Sequence, residues 1–270
     1  MVLFPHCKIN LGLNIVRKRP DGFHDLETVF YPVPWYDALE IIPAADGLFA
    51  FNVSGLTIPG KENSNLCIRA FRLLQADHPL PEVKMHLHKV IPMGAGLGGG
   101  SSDGAFTLRL LNHLFNLGLS GDQLRGYARN LGSDCAFFIS DTALFAHERG
   151  DQFEQVTIDL HGMTLLLVFP GIHVATADAY AAVLPAPPKT PLKQLVHLPV
   201  DQWKDSITND FEMAVFKKFP VIGVIKQKLY DTGAVYASMS GSGSAVYGLY
   251  PGTPAIGDAF TGFHTEILSL

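Results

Sequence analysis

Thirteen residues carry most of the chemical information: Ile91-Pro-Met-Gly-Ala-Gly-Leu-Gly-Gly-Gly-Ser-Ser-Asp103, with five glycines in seven positions between a strand-like and a helix-like stretch. Glycine admits positive φ and lets backbone approach a ligand closely, so successive N–H groups can form an anion-holding nest. The helix that follows adds the positive end of its dipole. Polyphosphate is the natural occupant. A flexible connector would account for scattered glycines, but not for a dense run ending in Ser101 and Ser102 at a helix start. Gly94, Gly96 and Gly99 satisfy the dinucleotide GxGxxG pattern, yet the acidic residue that such a fold needs about 20 residues on is replaced by a turn, Gly118-Leu-Ser-Gly-Asp122. No lysine follows these glycines, which excludes a Walker loop, and neither HRD nor DFG occurs, which excludes a protein kinase.

Other residues stand out by type and place. Lys8 lies in an otherwise apolar strand, where a buried lysine needs a partner; the plain alternative is an edge strand with the amine in water. Asn10, two residues on, shares its strand face. Asp134 precedes Cys135-Ala-Phe-Phe and suits the N-cap of a helix starting there. Ser102 offers a hydroxyl to phosphate, to Mg²⁺ or to the helix as a cap, and these uses are compatible. A second glycine segment, Ser240–Ser244, lies between two apolar strands and reads as a hairpin turn. His86 and His88 read as exposed alternates on a strand. Eleven histidines show no metal-ligand spacing, and Cys7, Cys67 and Cys135 lack CxxC spacing, so free buried thiols are expected and no protein-built metal site.

The elements that must position these groups follow from periodicity. Strands are expected over Val2–Val16, Leu26–Val33, Ala38–Pro43, Val83–Val90, Ala143–His147 and Met163–Phe169, with a strand–turn–strand over Ala234–Tyr250 and a short helix and strand at the end. Helices are expected over Asn65–Gln75, Ser101–Leu117, Ser120–Leu131 with a Ser120/Gln123 capping box, Asp210–Lys218 and Val221–Thr232. Leu184–Pro191, with four prolines, is a linker or a long surface loop. Hairpin-like pairs without regular βαβ alternation indicate an α+β protein. With 270 residues, 47% hydrophobic and 17% charged, one large domain or two small ones are affordable. A formal charge of −5 gives no basis for nucleic-acid binding, so an anionic ligand must be met locally. No apolar run approaches the roughly 18–20 residues that cross a bilayer, and the opening segment lacks the basic start of a secretion signal, so a cytoplasmic protein without membrane attachment is expected.

At Pro92-Met-Gly-Ala-Gly-Leu-Gly-Gly-Gly-Ser-Ser102 the chain resembles the superfamily of galactokinase, homoserine kinase, mevalonate kinase and phosphomevalonate kinase, whose signature is a Pro-x-x-x-Gly-Leu-Gly/Ser-Ser-Ser loop. The extra glycines are similar to those of the branch acting on cytidine-diphosphate-linked methylerythritol. Lys8-Ile-Asn-Leu11, Arg19-Pro-Asp-Gly-Phe-His24, Asn65-Leu66, Leu131-Gly-Ser-Asp134, Asn209-Asp210 and Ser240-Gly-Ser-Gly-Ser244 match that branch in order along nearly the whole chain. The resemblance implies an N-terminal α+β ATP-binding domain (1–158) carrying the loop and a C-terminal ferredoxin-like domain (159–270), with the active site in the cleft between them. It implies ATP and Mg²⁺ as cosubstrate and cofactor, a small-molecule acceptor and no obligatory protein partner.

By the same resemblance Asp134 is the base that takes the acceptor hydroxyl's proton and Lys8 stabilises the ionised oxygen. Pro92, Met93, Gly94, Ala95, Gly96, Leu97, Gly98, Gly99, Gly100, Ser101 and Ser102 surround ATP, with Lys89 and Asn65 near its nucleotide part. Asn10 positions the hydroxyl, Phe23 and His24 hold the cytosine, Thr176 lies near the substrate, and Gly241 and Ser242 close over the phosphates. Two departures matter. Phe23 stands where the branch commonly has tyrosine, which keeps stacking but loses a phenolic hydroxyl, and Cys135-Ala136 replaces a frequent Val-Pro, relaxing the backbone after the aspartate. Another superfamily kinase would share the loop and Asp134 but has no use for the Asp-Gly-Phe-His segment. A non-catalytic nucleotide binder has no use for Lys8 with Asp134.

Overall fold

The computed structural model describes residues 1–270. In chain order the strands are β1 (Val2–Leu3), β2 (His6–Lys18), β3 (His24–Tyr36), β4 (Ala38–Pro43), β5 (Ala50–Gly55), β6 (Val83–Lys89), β7 (Leu144–His147), β8 (Gln152–Gln155), β9 (Thr164–Phe169), β10 (Tyr236–Met239), β11 (Val246–Tyr250) and β12 (His264–Ser269). The α-helices are α1 (Leu66–Asp77), α2 (Gly99–Leu114), α3 (Gly121–Leu131), α4 (Thr176–Ala182), α5 (Leu192–Leu195), α6 (Glu212–Lys218) and α7 (Pro220–Asp231). None is long and apolar enough to cross a membrane. The chain interleaves two compact units, Met1–Cys7, Trp35–Met93 and Gly98–Asp141 forming the first, and Lys8–Pro34, Gly94–Leu97 and Thr142–Leu270 the second.

In the first unit a sheet of order β1-β4-β6-β5 carries α1, α2 and α3. Alternation along β6 turns Val83, Met85 and Leu87 inward and His86 and His88 outward, where Ser54 Oγ hydrogen-bonds both imidazoles. Lys89 takes the next inward position, so a cation is buried at the strand's end. Asn65 caps α1 by accepting from the Cys67 N–H at 2.9 Å, and Ser120 with Gln123 forms the expected capping box on α3. Helix α2 is buried from Ser102 to Leu108 without a break, as befits a helix covered on several sides.

The second unit holds a sheet of order β2-β3-β7-β8 and an antiparallel sheet of order β10-β11-β9-β12. Taken in sequence, β9 to β12 are arranged 2-3-1-4, the ferredoxin-like order. Leu166, Val168, Ile222, Ile225, Leu229, Met239 and Val246 form its apolar core. Buried Asn209, before α6, fixes the strand β10 exit: its side-chain amide donates to Met239 O and Gly241 O, each at 2.8 Å, while its oxygen accepts from Phe211 N–H.

Several short elements escape periodicity: β5, β8, α4 and α5 each span only four to seven residues. The expected short helix before β12 is absent, and 251–263 forms turns, because Pro251, Pro254 and three glycines interrupt it. Leu184–Pro191 is a loop inside the second unit, anchored where Ala186 N–H donates to Ile15 O at 2.9 Å. Replacing Asn209 by alanine removes three buried hydrogen bonds and strands two carbonyls, so unfolding free energy should fall by about 2–4 kcal/mol. Urea unfolding measures this, and a loss under about 1 kcal/mol would show that the amide does not hold the β10 exit.

Candidate active site

The glycine loop has the geometry of an anion nest. Gly94, Gly96 and Gly98 have φ of 68°, 82° and 70°, alternating with residues of negative φ, which turns successive N–H groups toward one side. At Gly96 the left-handed backbone is also a close approach, since a Cβ there would overlap the Ser240 carbonyl. Gly98 is the N-cap of α2, and no side chain caps that helix. Ser102 therefore does not serve as the cap: it lies in the helix, fully buried, and its hydroxyl has no hydrogen-bond partner.

Lys8, Asn10 and the second glycine segment converge on Gly96. Lys8 is only 3% exposed although β2 is the terminal strand of its sheet, so its amine is not in water. Its ammonium donates to Asn10 Oδ1 at 2.5 Å and to Gly96 O at 2.9 Å, and lies 5.0 Å from the Phe30 ring centroid. Asn10 donates in turn to Thr28 Oγ1 at 2.9 Å, which fixes the amide's orientation. Ser240 Oγ donates to Gly96 O at 2.8 Å, Ala245 N–H donates to Ala95 O at 3.1 Å, and Ser242 Oγ lies 3.1 Å from Thr176 Oγ1. Lys8, Asn10, Gly96 and Ser240 thus form one hydrogen-bonded group, Gly241 follows Ser240 and is held by Asn209, and Ser242 and Thr176 pair with each other.

Phe23 is 56% exposed, with the Arg149 guanidinium 5.1 Å from its ring centroid. His24 is half-buried and stacks on Tyr180 at 5.0 Å and 27°, and Tyr180 meets Phe211 edge-on at 4.9 Å. Tyr180 and Arg149 were not anticipated. Tyr180 belongs to the short helix α4 and Arg149 to a turn, and no local pattern links either to residues 23 and 24.

In the first unit, Asn65, Leu66, Phe51, Val53, Met93 and Gly100 line a cavity of about 350 Å³ that also reaches Asp103. Lys89 lies beneath, its side chain fully buried and ion-paired with Asp37 and with Asp103 at 2.9 Å. Burial works against the charged amine, but the two carboxylates outweigh it and hold the Lys89 pKa above its ordinary value. Asp134 is half-buried within a 3₁₀ turn, Ser133–Ile139, whose N-cap is Gly132 without a side-chain bond. The capping role expected for Asp134 is therefore not found. Position 132 takes it, because the helix starts two residues earlier, at Ser133, and in 3₁₀ form. Cys135 is buried beside it, and its thiol is pushed up to about 12 by burial.

The class of protein follows from comparison with known families. The models of the GHMP kinases N terminal domain and GHMP kinases C terminal match residues 65–146 and 192–260. The chain is 51% identical to the 4-diphosphocytidyl-2-C-methyl-D-erythritol kinase of Cytophaga hutchinsonii, over 94% of either chain. It is also 51% identical to the enzyme of the same name from Bacteroides fragilis, over 93% of this chain and 92% of that one. A crystal structure of 4-(cytidine 5'-diphospho)-2C-methyl-D-erythritol kinase superposes along the whole of both chains with a TM-score of 0.83 and 30% identity. The chain belongs to the GHMP kinases, in the 4-diphosphocytidyl-2-C-methyl-D-erythritol kinase family. The α+β, two-part GHMP fold expected from the glycine loop is the fold observed.

The burial of all three cysteines generates a test at this site. Cys7, Cys67 and Cys135 are each 0% exposed, and burial raises the pKa of Cys67 as well as that of Cys135. Native protein at pH 8 should therefore show no thiol reactive to a disulfide reagent within minutes, and all three should react in denaturant. A rapidly reacting Cys135 in the native protein would mean that the turn carrying Asp134 opens readily.

Proposed function

We propose that the chain transfers the γ-phosphoryl group of ATP to the 2-hydroxyl of 4-(cytidine diphospho)-2-C-methyl-D-erythritol, a step toward isoprenoid precursors. The observation carrying this is the near-complete likeness to kinases named for that substrate, and the loop and Lys8 geometry supports it. Phosphoryl transfer asks the protein mainly for alignment and charge stabilisation. The nest at Gly94, Gly96 and Gly98 and the start of α2 hold the phosphates, with Pro92, Met93, Ala95, Leu97, Gly99, Gly100 and Ser101 shaping the loop. Asn65 borders the nucleotide at the 350 Å³ cavity, whose lining includes Asp103, the ion-pair partner of Lys89.

Asp134 takes the hydroxyl proton as the oxygen's electron pair attacks the γ-phosphorus, and the bond to the β–γ bridging oxygen breaks to release ADP. Lys8, oriented by Asn10 and the Gly96 carbonyl, stabilises the ionised oxygen and the charge gathering on the transferring group. His24 and Phe23 hold the cytosine, Tyr180 extends that aromatic surface, and Gly241, Ser242 and Thr176 sit over the phosphates. The unpartnered hydroxyl of Ser102 fits a Mg²⁺ bound with ATP, since no cluster of His, Cys, Asp and Glu offers a metal site of its own. Such an ion neutralises polyphosphate charge. The domain division at 158/159 is retained as part of this proposal, because the two matched segments fall on either side of it. So is a cytoplasmic enzyme acting on small molecules without a required partner.

ADP release with each acceptor tests the substrate: cytidine-diphosphate methylerythritol should be turned over, and mevalonate, homoserine and galactose should not. Comparable turnover of mevalonate would remove the substrate assignment and leave a kinase. Asp134→Asn should lower kcat by about 10²–10⁴-fold with KM for either substrate changed only about threefold. A near-normal kcat in the folded variant would exclude Asp134 as the base.

A further inference from the structure

The charges under the glycine loop have no part in proton or phosphoryl transfer as derived above. Lys89, the last residue of β6, directs its amine inward, and its side chain and that of Asp37 are 0% exposed. Asp37 does three things at once: besides the Lys89 ammonium, its Oδ1 accepts the N–H groups of Val90 at 2.5 Å and Ile91 at 2.9 Å. Its own N–H donates to Pro5 O at 2.9 Å, which ties the carboxylate to the chain's first residues. The strand entering the loop is thus held by one side chain. On the other side, Asp103, one turn into α2, accepts from the same ammonium at 2.9 Å. Helix α2 starts against the amine, for a Cβ on Gly99 would stand 3.0 Å from Lys89 Nζ and 2.9 Å from Ile91 Cγ2.

We propose that Asp37 and Asp103, joined through the ammonium of Lys89, are positioning residues that clamp the strand entering the glycine loop to the helix leaving it and so set the affinity for ATP. The proposal rests on the reading of that loop as the ATP site. A loop with three left-handed glycines has little rigidity of its own, so the spacing of its ends decides whether its N–H groups converge. A buried, charge-assisted network fixes such spacing more firmly than apolar packing, because its members have few alternative partners.

The cluster is also poised in charge. Two carboxylates face one ammonium, and the group facing them from α1 is the Cys67 thiol, which burial keeps neutral. Burial raises the Asp103 pKa, the Lys89 charge opposes this, and the Asp37 charge adds to it, leaving it at about 7.

The test uses the full-length protein with Asp37→Asn, Asp103→Leu and Asp103→Asn. Asp37→Asn puts an amide against the ammonium, and loss of charge-assisted bonds should raise KM for ATP about ten- to a hundredfold, with KM for the acceptor within about threefold. Hydrogen exchange without ligands should quicken across 90–101 and stay unchanged in β9. Asp103→Leu should quicken the same segment, and serves alone if Asp37→Asn does not fold. Asp103→Asn keeps the side chain's size but not its charge, and should move exchange across 90–101 and KM for ATP in the same direction as Asp103→Leu. Unchanged exchange across 90–101 in a folded Asp37→Asn or Asp103→Leu protein overturns the clamp. Faster exchange with an unaltered KM for ATP overturns instead the role in ATP affinity, and with it the loop's assignment as the ATP site.

Discussion

Everything near the glycine loop depends on how closely the Ser240 segment can approach Gly96. With φ of 82° and no Cβ, Gly96 admits the Ser240 carbonyl into space that any other residue would fill. Its own carbonyl then accepts both the Ser240 hydroxyl and the Lys8 ammonium. One peptide unit thereby joins two glycine-rich segments and one buried cation, and Asn10 completes the arrangement from the Lys8 side. For a chain of net charge −5 this is the physical answer to holding a polyanion. Long-range attraction is unfavourable, so the charge must be met by oriented N–H groups and one placed amine at short range.

The two buried lysines show how company decides use. Lys89 ends β6 beside Asp103, which lines the cavity with Asn65 and Gly100. Its amine, however, is bound to Asp37 and Asp103, so its positive charge is already neutralised. Removing the ammonium would leave two buried carboxylates facing each other, which is why such clusters resist change once formed. Lys8 is oriented by Asn10, the Gly96 carbonyl and the Phe30 ring.

Legibility in the sequence followed the range of the interaction. The glycine loop and the Ser120 capping box are written within a few neighbouring residues, and both are where periodicity and turn chemistry place them, while the helix expected from Asn65 starts at Leu66 with Asn65 as its cap. Asp37 was passed over because an aspartate after Trp35 and Tyr36 looks like an ordinary turn residue, and its partners at 89–91 lie more than fifty positions on. Tyr180 was missed for the same reason, its stacking partner His24 being distant in sequence and its helix only seven residues long. Asp134 and Ser102 were read as caps on good local grounds. In both cases a glycine holds the N-cap instead: Gly98 in the left-handed region, which favours glycine, and Gly132 in extended backbone.

That last substitution bears on why the start of α2 looks as it does. A fully buried hydroxyl without a partner costs about 1–3 kcal/mol, and Ser102 sits at 0% exposure in that condition. Alanine would remove the penalty and lengthen the helix favourably, because serine is the poorer helix former. A folding argument alone thus favours alanine at 102. The serine makes physical sense once the hydroxyl has an acceptor or cation to meet when phosphates occupy the nest. Gly98 contributes to the same end, for a side-chain cap there would satisfy N–H groups of the first turn of α2 that must stay open for an anion. The helix start is therefore less stable than its sequence neighbourhood could make it, and the deficit is confined to its uncapped first turn and the buried Ser102 hydroxyl.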